Sequence, residues 1–125
     1  MLLALVLAGH FLGDWVVATD KQATTKMNGG RAGARALWGH VGTYSLAMAL
    51  CTVWAFSVGS LWKWGVLLVV SGVTHAFIDQ RWPVIWLMKH TRRGNFAETQ
   101  WGVIATDQAL HLSILCISVA VIIGH

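Results

Sequence analysis

The stretch LLALVLAGHFLGDWVVA, residues 2–18, is a run of apolar side chains interrupted only by His10 and Asp14. Its length is close to the roughly 20 residues that a helix needs to cross the hydrocarbon core of a bilayer. No basic segment precedes it, which argues against a cleaved secretory signal, so we expect a retained helix. Ionisable groups inside such a run predict a membrane helix that carries part of an internal polar site.

Three further apolar runs follow, at about residues 36–58, 61–80 and 101–124. The chain of 125 residues is 56% hydrophobic and 11% charged, and it contains 1 proline. This composition is typical of polytopic membrane proteins and excludes an ordinary soluble domain. The sequence therefore predicts an all-α protein with one domain, residues 1–125, built as a bundle of four transmembrane helices in the lipid bilayer.

Basic residues are concentrated in two of the three connections. Eight of the nine Lys and Arg residues follow the first and third runs, and only Lys63 lies in the second connection. By the positive-inside rule, the first and third connections face the cytoplasm and both termini face outward. Topology accounts for the positive charge, so nucleic acid is not expected as a partner.

The two basic connections differ in character. TDKQATTKMNGGRAGAR, residues 19–35, is glycine-rich and forms either a flexible loop or a grip for phosphate or anionic lipid headgroups. WPVIWLMKHTRRGN, residues 82–95, is too short to span and has Pro83 in a helix-start position. We expect this second segment to lie along the membrane interface, as an anchor or as a lid.

Seven ionisable side chains interrupt the apolar runs on the cytoplasmic side: His10, Asp14, His40, His75, Asp79, Asp107 and His111. Six of them form three i,i+4 pairs, so both members of each pair share one helix face. The second run offers His40, with Tyr44 one turn further along. Any one of these residues is compatible with a hydrogen bond to a neighbouring helix, or with a pair between an Asp and a snorkelling Lys. Together they predict one polar layer.

All seven side chains are candidate metal ligands. An Asp at mid-helix costs roughly 2.5–3.5 kcal/mol, and a bound divalent ion offsets that cost with an energy on the order of 10 kcal/mol for structural zinc. Imidazole and carboxylate without thiolate suit zinc, with manganese or iron as alternatives. Seven ligands exceed the four of a tetrahedral zinc, which favours two ions or an outer hydrogen-bonding role for some of them. Further candidates for that outer role are Asp20, Thr74 and Gln108.

Four motifs together resemble the small bacterial and phage membrane proteins grouped as domain of unknown function 3307. They are GHFLGDWVVATDK (9–21), HVGTY (40–44), THAFID (74–79) and DQALH (107–111). The resemblance covers essentially the whole chain and implies a four-helix protein of the bacterial inner membrane with no assigned activity. The HxxxD pattern is also similar to that of membrane-bound proteins described as metal-dependent hydrolases. The residues that carry over are His10, Asp14, Asp20, His40, Tyr44, His75, Asp79, Asp107 and His111.

These features predict a metal-dependent hydrolase that acts on a lipid-like or membrane-associated phosphoester at the cytoplasmic face. The candidate catalytic residues are Asp14, Asp79, Asp107 and Tyr44. The candidates for binding an anionic headgroup are Arg31, Arg35, Arg92 and Arg93. Two other functions stay open: an ion or proton conductor with a His and Asp relay, and a phage lysis or accessory protein without enzymatic activity. The Gly9-x-x-x-Gly13 spacing permits close packing inside the bundle or between protomers of a homo-oligomer.

Overall fold

The computed structural model describes residues 1–19, 25–26, 30–91 and 94–124, and within these ranges the long elements are all helices. The first helix, α1, continues without a break into a π-helical turn, Leu12–Val16. The helices are α1 (Leu2–Phe11), α2 (Gly30–Thr52), α3 (Leu61–Ile78), α4 (Trp82–His90), α5 (Gly94–Ala97) and α6 (Gln100–Gly124). Two short 3-10 turns, Val53–Ala55 and Val58–Ser60, connect α2 to α3.

The four apolar runs correspond to α1 with its π-helical turn, α2, α3 and α6, so the prediction of an all-α protein is confirmed. Within the described residues, Val58–Ile78 and Gln100–Ile122 are long and apolar enough to cross a membrane, while Leu2–Val16 is apolar but shorter. α2 has 23 residues and is therefore longer than Leu2–Val16, but it is less apolar because it carries His40, Tyr44 and several Gly, Ser and Thr residues. By length and composition, the described ranges thus contain two candidate membrane-crossing helices, fewer than the four predicted.

Close contact between α1 and α2 depends on two glycines of α1 and its π-helical turn. A Cβ atom added at Gly9 would lie 3.0 Å from the Cα of Met48, and one added at Gly13 would lie 2.9 Å from the Cα of Tyr44. Only glycine permits this approach of two helix backbones. The Gly-x-x-x-Gly spacing is therefore used inside the bundle, and it brings the π-helical turn directly against α2.

Two apolar clusters border the polar residues. The first is formed by buried side chains of α1, α2, α3 and α6: Val6, Tyr44, Met48, Leu67, Leu115 and Val119. The second lies where α3, α4 and α6 meet: Ile78, Val84, Met88 and Val103. Packing within these clusters holds the helices in register beside the polar side chains.

The chain turns sharply between α3 and α4. Arg81 has φ 61° and ψ −29°, a left-handed conformation, and Pro83 occupies the first turn of α4 as expected from its fixed φ. Val84 and Met88 are buried, whereas Trp82 and Trp86 are each 56% exposed. The segment predicted to lie at the interface is thus an amphipathic helix docked on α3 and α6, and its position relative to a membrane stays a prediction.

Candidate metal centre

Three helices and the turns that follow them bring two histidines and two aspartates together. Asp14 lies on the π-helical turn, His40 on α2 and His75 near the end of α3, and Asp79 directly follows α3. His40, His75 and Asp79 are 1%, 0% and 4% exposed. One donor atom from each residue lies within 4.8 Å of the other three, and we call these residues the four-ligand group.

The donor atoms of the four-ligand group face a common point. The Nε2 atoms of His40 and His75 are 3.1 Å apart. His40 Nε2 lies 3.1 Å from Asp14 Oδ1 and 3.2 Å from Asp79 Oδ2. His75 Nε2 lies 3.6 Å and 3.4 Å from the same two oxygens. Five of the six separations among these Lewis bases therefore lie between 3.1 and 3.6 Å.

Hydrogen bonds between these four atoms cannot account for all of their contacts. Each Nε2 atom carries at most one proton, and a carboxylate oxygen carries none. Two protons at most would have to serve five separations of 3.1–3.6 Å. The remaining contacts would place lone pairs against lone pairs, which is unfavourable in a buried site. A cation at the common point uses the lone pairs of all four atoms at once.

The separations also match the size of a metal ion. Zinc binds imidazole nitrogen at about 2.0–2.1 Å and carboxylate oxygen at about 2.0–2.2 Å, usually in a tetrahedron. Ligand atoms at those distances lie about 3.3–3.5 Å from one another. The observed separations of 3.1–3.6 Å bracket this value. The donor set and its spacing therefore fit a divalent cation with two nitrogen and two oxygen ligands.

Hydrogen bonds from outside the group orient its two carboxylates. Gln108 Nε2 donates to Asp14 Oδ2 at 2.8 Å, so Gln108 takes the outer role predicted for it. Lys26 Nζ donates to Asp79 Oδ2 at 2.7 Å. Burial raises the pKa of Asp79, but the hydrogen bonds from His40 and Lys26 and the positive charge of Lys26 outweigh burial and hold this pKa well below its usual range. The Asp79 carboxyl is therefore ionised, as a metal ligand must be.

The other three predicted ligands form a second layer beside the group. His111 Nδ1 lies 3.0 Å from the backbone oxygen of Asp107 and 3.5 Å from its carboxylate. The ring of His111 is 4.4 Å from that of His75 and 5.3 Å from that of His10, between centroids. His10 Nε2 is held by Gln108 Oε1 at 3.1 Å. Four of the seven predicted ligands thus converge, and His10, Asp107 and His111 do not join their common point.

The buried imidazoles are not fully satisfied by protein groups. In the part of the chain that the structure describes, one ring nitrogen of each has no hydrogen-bond partner: Nδ1 of His10, His40 and His75, and Nε2 of His111. Leaving a buried polar atom unpaired costs about 1–3 kcal/mol. The histidine donors of the four-ligand group are the two Nε2 atoms, so the unpaired Nδ1 atoms of His40 and His75 are not part of it.

Tyr44 packs against one residue of the four-ligand group, His75. Its ring stacks on that of His75, with centroids 3.8 Å apart and planes 8° apart. Its hydroxyl is 2.7 Å from Ser71 Oγ, and both residues are buried. The stacking fixes the orientation of His75, and the hydrogen bond with Ser71 satisfies the Tyr44 hydroxyl inside the core. Thr74 instead donates to the Val70 backbone oxygen of its own helix at 2.8 Å, so its predicted outer role is not what its contacts show.

A small polar cavity of about 60 Å³ opens beside the group. Its charged lining residues are Asp14, Lys26, Asp79, Arg81 and Asp107. It thus contains all three predicted catalytic aspartates together with two cations that the sequence analysis did not select. The signals were present in the sequence, since Lys26 lies in the first basic connection and Arg81 follows Asp79 by two residues.

Two of the four arginines predicted to bind a headgroup, Arg31 and Arg35, lie away from this cavity. Arg31 and Arg35 are exposed on the first turns of α2, and neither lines the cavity. The predictions for Arg92, Arg93 and Asp20 lie outside the described residues. The two cationic residues that line the cavity, Lys26 and Arg81, belong to the same connections after the first and third runs.

Comparison with known proteins identifies a family. The sequence model of the family described as "Protein of unknown function (DUF3307)" matches residues 2–124. No curated protein and no solved structure matches the chain. The match spans all of the residues that form the four-ligand group and its second layer.

Proposed function

Because the chain belongs to the DUF3307 family, whose description gives no function, we propose its function from the four-ligand group. We propose that Asp14, His40, His75 and Asp79 bind a divalent metal ion in a membrane-embedded hydrolase. Its substrate is a lipid-like phosphoester at the cytoplasmic face of the bacterial inner membrane. The observation that carries the proposal is the convergence of four Lewis bases that have too few protons to bond one another.

Zinc suits the group best, because five of the six separations between donor atoms agree with tetrahedral zinc and the donors are imidazole and carboxylate. Manganese and iron accept the same donors and are the alternatives. A second ion, held by His10, Asp107 and His111, stays a prediction. In the proposal, these three residues form the hydrogen-bonding layer beside a single ion.

The polar cavity supports hydrolysis over a purely structural metal site. Asp14 and Asp79 line both the cavity and the four-ligand group, so water and substrate can approach from this side. When bound, the ion would supply Lewis acidity and lower the pKa of a coordinated water. Asp107 lines the cavity without belonging to the group, which suits its carboxylate to accepting a proton from water. Lys26 and Arg81 provide positive charge for phosphate oxygens.

Tyr44 and Gln108 are positioning residues in this proposal. The sequence placed Tyr44 among the catalytic candidates, but its hydroxyl is buried against Ser71 and does not line the polar cavity. Its stacking on His75 supports a role in holding that imidazole at the right angle. Gln108 bonds both Asp14 and His10, which supports a role in linking the metal ligands to the second layer.

The membrane topology is part of the proposal. We infer that all four apolar runs span the bilayer, with both termini outside, because α1 and α2 pack lengthwise with the two candidate membrane-crossing helices in one bundle. The positive-inside rule then puts Lys26, Arg81 and the polar cavity at the cytoplasmic surface. A substrate that lies in the membrane and exposes its phosphate at the inner leaflet meets the cavity there.

Metal content tests the binding step. The detergent-purified protein should carry about one equivalent of zinc per chain by elemental analysis. His40→Ala and His75→Ala should each lose most of it, because only three of the four donors remain. His90→Ala is the matched control, since His90 is an exposed histidine stacked on Trp86. Metal-free wild-type protein, or equal metal in all variants, contradicts the proposal.

Turnover of a lipid phosphate tests the chemical step. Asp107→Asn should retain the metal and lower the release of inorganic phosphate from phosphatidic acid vesicles by about 10²- to 10⁴-fold. Asp14→Asn should lower both metal content and rate. The expectation for Asp107 is refuted if its variant is fully active while metal-loaded, and hydrolysis is refuted if metal-loaded wild type releases no phosphate.

A further inference from the structure

A groove between α3, α4 and α6 has no role in the metal centre. It has a volume of about 460 Å³, and all of the side chains that line it are apolar or aromatic. Among them are Phe77 and Ile78 of α3, Trp82 and Trp86 of α4, and Leu110 and Ile114 of α6. Concave apolar sites of 300–1,000 Å³ are typical of small-molecule binding. The groove is therefore large enough for a segment of hydrocarbon chain.

The groove adjoins the polar cavity at three places in the chain. Ile78 lines the groove and the next residue, Asp79, lines the cavity. Arg81 lines the cavity and the next residue, Trp82, lines the groove. On α6, Asp107 of the cavity and Leu110 of the groove are three residues apart, which puts them on neighbouring parts of one helix face. We infer from these junctions that the groove and the polar cavity are neighbours.

We propose that the groove binds the hydrocarbon chain of a phosphate-bearing lipid whose headgroup lies in the polar cavity. The inference rests on the proposed function for the headgroup half, and it names the substrate class as a lipid phosphate rather than a soluble phosphoester. An apolar chain in the groove would place the phosphate beside Lys26 and Arg81, at the α3–α4 corner.

Charge supports an anionic headgroup only when the metal is present. Three carboxylates and two cationic side chains line the polar cavity, which leaves one net negative charge. A divalent ion changes this to one net positive charge. A phosphate is then attracted by the ion, by Lys26 and by Arg81 together, whereas an uncharged lipid headgroup gains none of these interactions.

Binding of a non-hydrolysable phosphonate analogue of oleoyl lysophosphatidic acid tests the inference. Native mass spectrometry or a titration in detergent should give one bound molecule per zinc-loaded chain. Ile114→Trp fills the groove, so that fewer methylenes of the hydrocarbon chain can be buried there. The loss of two buried methylenes raises the dissociation constant about tenfold, and we expect at least this increase. Ile117→Trp is the matched control on the same helix, exposed and outside the groove, and should bind within about twofold of wild type.

A second pair of variants removes side chains instead of adding them. Trp86→Ala opens the rim of the groove, and Trp86 is 56% exposed, so the fold should tolerate the change. It should weaken binding of the analogue several-fold, whereas Trp54→Ala, at an 86% exposed tryptophan outside the groove, should not. Equal weakening by both members of either pair indicates non-specific lipid contact and overturns the groove. Binding of monoolein as tight as that of the phosphonate overturns the anionic headgroup.

The result can be separated from the proposed metal chemistry. Ile114→Trp should retain wild-type zinc content and wild-type hydrolysis of glycerol 3-phosphate, which has no chain to bury. If wild type binds the phosphonate in the groove but holds no metal, the proposed function fails and the chain site stands. If wild type holds zinc and hydrolyses soluble and lipid phosphates equally well, the chain site fails and the metal centre stands.

Discussion

Replacement of Gly13 by alanine tests whether the helix contact that forms the bundle also forms the metal centre. Gly13 directly precedes Asp14, and its α-carbon faces the backbone of Tyr44 on α2. A new Cβ atom would lie 2.9 Å from the Tyr44 Cα and 3.1 Å from its backbone oxygen. Neither neighbour is the end of a flexible side chain, so the clash can be relieved only if the two helices separate.

The magnitude follows from that distance. Ordinary contact begins at 3.4 Å, so the π-helical turn must retreat from α2 by about 0.5 Å. Such overpacking costs about 1–3 kcal/mol. The same retreat carries the Asp14 carboxylate away from His40, whose Nε2 atom it now approaches to 3.1 Å. Changes that misplace a metal ligand cost about 10- to 100-fold in affinity, and we expect zinc affinity to fall by that amount.

Gly42→Ala is the matched control. Gly42 lies on the same pair of packed helices, but a Cβ atom added there meets nothing within 4 Å. Alanine is favoured over glycine inside a helix by about 0.5–1 kcal/mol, so this variant should be slightly stabilised, with unchanged zinc affinity. Thermal unfolding in detergent and zinc titration would be measured on both proteins. The reasoning is refuted if Gly13→Ala melts and binds zinc as Gly42→Ala does.

Three further predictions concern the surroundings of the metal. Gln108→Leu removes the donor to Asp14 and should weaken zinc binding about 10- to 100-fold in a competition titration, whereas Thr74→Val, whose hydroxyl bonds its own helix, should bind zinc normally. Tyr44→Phe leaves the buried Ser71 hydroxyl without that partner and should lower the free energy of unfolding by about 1–3 kcal/mol in a denaturant titration; an unchanged midpoint would exclude a structural role for the bond. Free zinc at 100 times its dissociation constant stabilises the folded wild type by about 2.7 kcal/mol. Chelating this zinc should therefore lower the free energy of unfolding of wild type by that amount. The same treatment should not change the melting temperature of His75→Ala.

Helix positions were predictable because apolar side chains define them directly. The runs starting at residues 2, 61 and 101 correspond to helices that begin within one residue of those positions. The start of α2 was not predictable from hydropathy, because its first turns contain Arg31 and Arg35, which are exposed and therefore contribute no apolar signal. The π-helical turn was also missed, since its sequence reads as an ordinary continuation of α1.

The polar layer was predictable as a set, but its internal arrangement was not. The i,i+4 spacing determines which face of a helix two residues share, and the predicted faces do turn inward. Spacing does not determine how far each helix is rotated or shifted along its axis. That offset decides that His75 and Asp79 point at His40, while His111 turns back to the carbonyl of Asp107. Lys26 was missed for a related reason, because its partner Asp79 is 53 residues away.

The position of the polar layer favours a site that opens to one surface over a relay that crosses the protein. The residues one helical turn beyond His10, Tyr44, Ser71 and His111, on the side away from the polar cavity, are Val6, Met48, Leu67 and Leu115. All four are buried in one apolar cluster. A proton or ion that reached the histidines from the cavity would meet this cluster next, and apolar side chains neither accept a proton nor replace the hydration of an ion. The same cluster closes the back of a metal site and excludes water from it, which strengthens the electrostatic interactions of a cation with Asp14 and Asp79.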